Sequence, residues 1–227
     1  MDYYSFLQVA VPAMASGVVK SLQISVISLA IGLLVGVPLA FVRVYGGKTA
    51  KKLTMAYSEI FRGTPVLVQL FLIYYGLPQF GILFSPMTAA CLTLGLNSSA
   101  YQIEYFRGSI VAVGDKQMEA ARSIGMSTFQ AVKCIMLPQA LRLVLPAWSN
   151  EAIYMIKNTA VVYLIALPEL MTQTKILIAR YYNPIESYAT VAVFYLILVA
   201  AATVIFHNVE RKTAIPGLCL EEIGRNN

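Results

Sequence analysis

From Gly63 to Ile103 the chain carries no charged residue, and from Ser21 to Val42 it carries none either. Runs of this kind need lipid or other helices around them, because a bilayer core about 30 Å thick is crossed by about 20 apolar residues as a helix. The run after Gly63 is too long for one such helix. It is interrupted by "GLPQFG" at Gly76 to Gly81, so it reads as two spans around a tight outer turn. "LRLVLPAWSNEAIYMIKNTAVVYLIALPEL" supplies a fourth span with Glu151 and Lys157 inside it, and Ser187 to Phe206 a fifth. The spans cover about 18–43, 60–77, 86–106, 142–166 and 186–208, within one transmembrane domain of residues 1–227. The expected fold class is an all-α membrane protein with five transmembrane helices.

Composition supports lipid as the solvent. The 227 residues are 58% hydrophobic and 12% charged, with a mean hydropathy of +0.68, whereas a soluble domain carries about twice that share of charge. The net charge of +6 raises the question of nucleic acid, and the placement of the basic residues answers it. Arg43, Lys48, Lys51, Lys52 and Arg62 follow span one; Arg107, Lys116, Arg122, Lys133 and Arg142 lie between spans three and four; Arg211, Lys212 and Arg225 end the chain. Only Lys20, Lys175 and Arg180 fall on the other side. Five spans with the N-terminus outside and the C-terminus in the cytoplasm put all three basic regions on the cytoplasmic side. The charge is then topological and no nucleic-acid partner is expected.

The opening "MDYYSFLQVAVPAMASGVVK" begins with Asp2 and lacks a basic segment, so a cleaved signal peptide is not expected. Its amphipathic pattern places it along the membrane surface ahead of span one. Cys91, Cys134 and Cys219 are scattered and the only histidine is His207, a pattern that offers neither a disulfide framework nor a metal site.

The stretch "EAARSIGMSTFQAVKCIMLPQ", from Glu119 to Gln139, is polar in an oily chain and falls in the cytoplasm in this topology. Gly125 stands where a left-handed helix end belongs. Ser127 with Gln130 forms a capping-box pattern that starts a second helix, and Pro138 ends it. A short helix, a glycine turn and a second short helix result, over about 116–139. A solvated connector is the plain alternative. A DNA-reading helix-turn-helix is the other, from the spacing of Ala121, Gly125 and Ala131, but "TFQAVKCIM" offers only Lys133 to a phosphate or base.

The same stretch resembles the EAA signature of permease subunits of ABC importers, at Glu119, Ala120, Ala121, Gly125, Ile135, Leu137 and Pro138. "FRGTPVLVQLFLIYYGLPQFG", "LNSSAYQIEYFRGSI" and "LPQALRLVLPAWSNEAIYMIKNTAV" resemble further segments of the histidine/glutamine/arginine type of polar amino acid importer. Asn158 and Ala160 depart from that pattern, standing where aspartate and serine are usual. The resemblance implies the type I ABC importer permease fold in the cytoplasmic (inner) membrane. It implies that the hairpin is the coupling helix, docked on ATPase subunits, and that ATP and magnesium are bound by those partners. Two ATP-binding cassette ATPase subunits, a second permease copy or paralogue, and an extracytoplasmic amino acid-binding protein are the implied partners. The chain lacks a G-x-x-x-x-G-K-[ST] loop and a nucleophile–base pair, so no cofactor and no catalysis are expected in it.

Ionisable and amide groups within the spans are the substrate-site candidates, because they are costly in lipid. These are Glu151, Asn150, Asn158, Thr159 and Lys157 in span four, Asn97 and Tyr101 in span three, and Gln69 in span two. A carboxylate such as Glu151 suits an ammonium or guanidinium group, and the amides and hydroxyl suit either end of an amino acid. Two other roles are open to Glu151: an ion pair with an arginine or lysine inside the bundle, or a proton or ion site in an ATP-independent secondary transporter. Glu104 and Arg107, three apart, are expected to pair at the cytoplasmic boundary.

Overall fold

The computed structural model describes residues 3–213, leaving aside the side chains of Tyr3, Asp115 and Lys116. Asp2, Cys219 and Arg225 lie outside the described residues. Among the described residues all regular structure is helical. Helix α1 runs from Tyr3 to Tyr45 without a break, although Pro12 and Pro38 lie inside it. At 1.5 Å per residue its 43 residues extend about 65 Å, well beyond a bilayer core. The N-terminal segment is therefore not a separate helix lying along the surface. Phe6, Ala10 and Met14, four apart, are buried with Leu170, Leu177 and Val191, and this packing holds the segment in line with the rest of α1. A Cβ at Gly17 would fall 2.7 Å from Cα of Leu170, so the two backbones are in contact there.

Helix α2 (Lys48–Gly63) stops at Thr64 and Pro65. The chain resumes as α3 (Val66–Phe71), which continues through a π turn (Leu72–Gly76) and a 3-10 turn (Leu77–Phe80). The two arms meet at 101°. Pro65 has no N–H to continue α2, so the break has a local cause. Gly81, at φ +79°, turns the chain toward α4 (Pro86–Val113).

Helix α4 is the centre of the bundle. Thr93, Asn97, Ser98, Ser99 and Gln102 are all buried on it. Its most extensive contact is with α1, whose buried face over this stretch is small apart from Ile24: Ser21, Ser25, Ser28, Gly32, Gly36 and Ala40. Small residues at a helix contact let backbones approach closely in a setting where lipid supplies no hydrophobic drive. A Cβ at Gly36 would lie 2.9 Å from the Ser99 carbonyl oxygen, one at Gly95 would lie 2.7 Å from Ile31, and one at Gly32 would overlap the Gln102 amide.

Helix α5 (Asp115–Ser123) leads into the hairpin turn, and α6 (Thr128–Ala131) leaves it. A π turn (Val132–Met136) joins α6 to α7 (Leu137–Asn158), which ends in a 3-10 turn (Thr159–Ile165). Thr128 to Ile165 is thus one continuous helical path. Pro138 does not end the second hairpin helix. The wider π turn precedes it and closes with the Leu137 amide on the Val132 carbonyl, so the ring falls in the first turn of α7, where a missing N–H is tolerated. The described residues end with α8 (Leu170–Tyr181) and α9 (Pro184–Thr213). The fully buried Glu169 caps α8 by accepting from the Met171 and Thr172 amides at 2.8 and 2.7 Å.

Among the described residues three helical stretches are long and apolar enough to cross a membrane: Tyr4–Tyr45, Thr128–Ile165 and Pro184–Thr213, with a fourth if the bent pair is one span. Helix α4 has the length, 28 residues, but is more polar, and its neighbours bury that polarity. Replacing Gly36 with alanine should strain the α1–α4 contact by about 1–3 kcal/mol. A lowered Tm in detergent, with a broadened size-exclusion peak for Gly36→Leu, is the expected result.

Candidate functional site

Among the described residues two cavities open against α4 and α7, the first of them at the bend between α2 and α3. The first, about 320 Å³, is lined by residues that include Arg62, Thr64, Asn97, Tyr101, Tyr154 and Asn158. The second, about 440 Å³, is lined by Tyr101, Tyr105, Asn150, Glu151, Ile153, Tyr154 and Lys157. Both volumes fall in the range of small-molecule sites. Tyr101 and Tyr154 belong to both cavities and form the wall between them.

Glu151 is 4% exposed. Its Oε1 accepts from the Ser98 hydroxyl at 2.6 Å and its Oε2 from the Tyr105 hydroxyl at 3.5 Å. Ser98 in turn accepts from the Gln102 amide at 3.1 Å. No ion pair reaches Glu151: among the described residues the salt bridges are those of Glu104, with Arg43 at 4.0 Å and Arg107 at 2.8 Å. The pairing of Glu104 with Arg107 thus has the expected geometry, and the arginine or lysine partner considered for Glu151 is absent among the described residues. A buried carboxylate held only by neutral donors keeps its capacity to meet a cationic group.

The structure brings together Asn97, Tyr101 and Asn158 at the first cavity and Tyr101, Asn150, Glu151 and Lys157 at the second. Glu151 and Lys157, six apart in sequence, line the same space. Gln69 and Thr159 line neither. The Gln69 amide donates to the Phe61 and Thr64 carbonyls at 2.8 and 3.0 Å and to the Thr64 hydroxyl at 2.8 Å. It holds the bend closed, and Asn97 joins it by donating to the Phe61 carbonyl at 2.9 Å and to Gln69 Oε1 at 3.3 Å. Thr159 is fully buried and donates to the Ile156 carbonyl at 2.8 Å.

Arg62, Tyr105 and Tyr154 were not among the residues expected at the site. Counted along the chain, Arg62 belongs to the basic loop after span one. In the structure α2 extends through it, and the bend at Gly63 to Pro65 turns it onto the cavity, with its guanidinium 5.3 Å from the Tyr101 ring centre. The break "RGTP" was the available signal for a residue displaced from a loop into a bend.

At the other end of α7 the hairpin is tightly specified. Gly125, at φ +82°, closes α5 with its amide on the Arg122 carbonyl at 2.9 Å and the Met126 amide on the Ala121 carbonyl at 3.1 Å. Ser127 and Gln130 exchange their capping bonds at 2.8 and 3.3 Å. Ala121 is buried with Met118, Ala131, Met136 and Phe106, and Ile135 packs beside them. Leu137 is half-buried, whereas Glu119, Ala120 and Pro138 face outward, as do Ile124 and Phe129.

Comparison with known proteins gives this arrangement its class. Residues 28–215 match the family described as binding-protein-dependent transport system inner membrane component. The glutamine transport system permease protein GlnP of Escherichia coli (strain K12) is 35% identical over 214 residues, covering 93% of this chain and 98% of the relative. The nopaline transport system permease protein NocM of Agrobacterium fabrum (strain C58 / ATCC 33970) is 39% identical over 197 residues, covering 82% of each. The crystal structure of an amino acid ABC transporter with histidines superposes with a TM-score of 0.86 at 36% identity, over 93% of this chain and 99% of that one. The chain belongs to the family of binding-protein-dependent transport system inner membrane components, as a permease subunit of an ABC importer. It is the non-catalytic membrane subunit, since in this family ATP is hydrolysed by separate ATPase subunits.

Replacing Gln69 with leucine should leave acceptors at the bend unpaired, at a cost of about 1–3 kcal/mol. The check is a drop in Tm together with easier proteolysis near Thr64 and Pro65.

Proposed function

We propose that this permease imports a polar amino acid through the cavities beside the α2–α3 bend, driven by two ATP-binding cassette ATPases that act on the hairpin from Glu119 to Pro138. The chain crosses the cytoplasmic membrane five times, by α1, the α2–α3 pair, α4, α7 with its 3-10 turn, and α9. Its N-terminus is outside and its C-terminus in the cytoplasm. The observation that carries this proposal is the continuous helix from Thr128 to Ile165. It begins at the capped hairpin and bears Asn150, Glu151, Lys157 and Asn158 toward its other end. ATP binding closes the ATPases, the hairpins move as rigid bodies, and the spans turn outward to receive substrate; hydrolysis resets them. Glu119, Ala120 and Pro138 meet the ATPase. Ala121, Ile135 and Leu137 hold the hairpin to the bundle, and Gly125 sets its turn.

A second permease, a copy or a paralogue, completes the pathway, because five helices cannot both enclose an aqueous route and bury α4. An extracytoplasmic amino acid-binding protein delivers the substrate. Asn97, Tyr101, Asn150, Glu151, Lys157 and Asn158 contact it; Gln69 and Thr159 support the walls from behind.

The test is co-expression with the neighbouring genes, purification in detergent, and reconstitution. An ATPase should co-purify. Gly125→Val, strained at φ +82°, should uncouple ATP hydrolysis from uptake and leave substrate binding in place. Glu151→Gln should weaken substrate binding by roughly tenfold or more and keep the ATPase bound. A chain that purifies without an ATPase, or an importer that takes up no amino acid, overturns the proposal.

A further inference from the structure

The charges on the two cavities discriminate among amino acids. Arg62 lines the first cavity and Lys157 the second. Among the described residues neither is in an ion pair or a side-chain hydrogen bond; each rests on a tyrosine, Arg62 on Tyr101 at 5.3 Å and Lys157 on Tyr154 at 5.8 Å. Those two tyrosines form the wall between the cavities. The lining holds one carboxylate, Glu151, which has no cationic partner. Asn158 and Asn97 are uncharged and supply no second one. Tyr101 and Tyr154 line both cavities, so Arg62 and Glu151 stand on one shared lining with a cationic end and an anionic end.

We infer that the site selects amino acids without net positive charge, with Arg62 holding the α-carboxylate and Glu151 the ammonium group. This rests on the proposal that the cavities are the substrate site. A zwitterion placed this way meets an opposite charge at each end. Arg62 offers a planar fork that matches a carboxylate, and the Asn158 amide lies in the same cavity as a further donor, whereas Asn97 already gives its N–H groups to Phe61 and Gln69. Lys157 is then left for an acceptor oxygen of the side chain, a carboxamide or a carboxylate. A lysine or arginine substrate brings two positive groups to one carboxylate, and the second meets Lys157 or Arg62. Protonation of Glu151 would remove the only anion of the lining and disfavour cationic substrates further. Arg62 is thus a specificity-determining residue.

The experiment uses the permease–ATPase complex in lipid nanodiscs, without the binding protein, so that selection by the permease is read directly. Radiolabelled glutamine, glutamate and lysine are the probes. Glutamine or glutamate should bind, with lysine weaker by about tenfold or more. Arg62→Gln should weaken glutamine binding by about tenfold, and Arg62→Lys should fall between it and wild type, because the charge remains and the fork is lost. ATPase co-purification should be unchanged in both. Lysine binding as tightly as glutamine, unchanged glutamine affinity in Arg62→Gln, or binding of none of the three overturns the inference. The wild-type comparison of the three probes decides even where a variant fails to fold. Uptake by the complete importer with its binding protein separates the two levels. ATP-driven uptake of lysine or arginine in preference to glutamine defeats this inference alone, and uptake of no amino acid defeats the functional proposal beneath it.

Discussion

A helix that carries Thr93, Asn97, Ser98, Ser99 and Gln102 through the middle of a bundle in lipid persists only if other helices cover each of those groups. That requirement shapes the rest of the fold. It demands a neighbour that can come close, and α1 provides one with its face of serine, glycine and alanine. It demands partners for the polar side chains, and α2 provides two: Tyr57, within 2.6 Å of the Ser99 hydroxyl, and Ser58, donating to the Ala100 carbonyl at 3.1 Å. It places Glu151 of α7 where Ser98 can donate to it. The polar centre is thus satisfied from within the bundle, by α1, α2 and α7 together.

The bend between α2 and α3 turns that centre into a cavity. A straight span would have filled the space beside α4 with side chains. Instead Pro65 breaks the helix, Gln69 and Asn97 tie the break together, and Arg62 is left at the cavity rim over Tyr101. One local interruption thus creates the volume and also equips its rim with charge. Groups that hold the bend and groups that line it alternate along a few residues, so polarity alone does not tell them apart.

That alternation explains what could and could not be read from the sequence. The hairpin turn was legible because its causes are local: Gly125, Ser127 and Gln130 act within a few residues of themselves. The apolar runs were legible because the solvent dictates them. Pro138 was misjudged because a single-residue rule gave way to a π turn whose hydrogen bonding no residue type announces. The N-terminal segment was misjudged because its stripe of Phe6, Ala10 and Met14 faces α8 and α9, more than 150 residues away in sequence. Arg62 was assigned to a loop because a linear count of charge does not see a 101° bend. Gln69 and Thr159 were set at the site although an amide or hydroxyl in a membrane helix can serve a nearby carbonyl just as well. Glu151 stood out in the sequence as an ionisable group in an apolar span, but its partners Ser98 and Tyr105 come from α4, and only the packing of two distant helices reveals them.

The unbroken path from Thr128 to Ile165 has a mechanical meaning. From the start of α6 to Glu151 it extends about 35 Å at 1.5 Å per residue, with the hairpin cap at one end and the cavity wall further along. A rod of this kind has little backlash. Under the proposed coupling it would act as a crank, not as a chain of relays: tilt at the hairpin would reappear at Tyr154 without waiting for side chains in between to rearrange. Thermodynamic reciprocity would then run both ways. A substrate beside Glu151 and Lys157 would load the same crank, so an ATPase on the hairpin would sense it through the member that it drives.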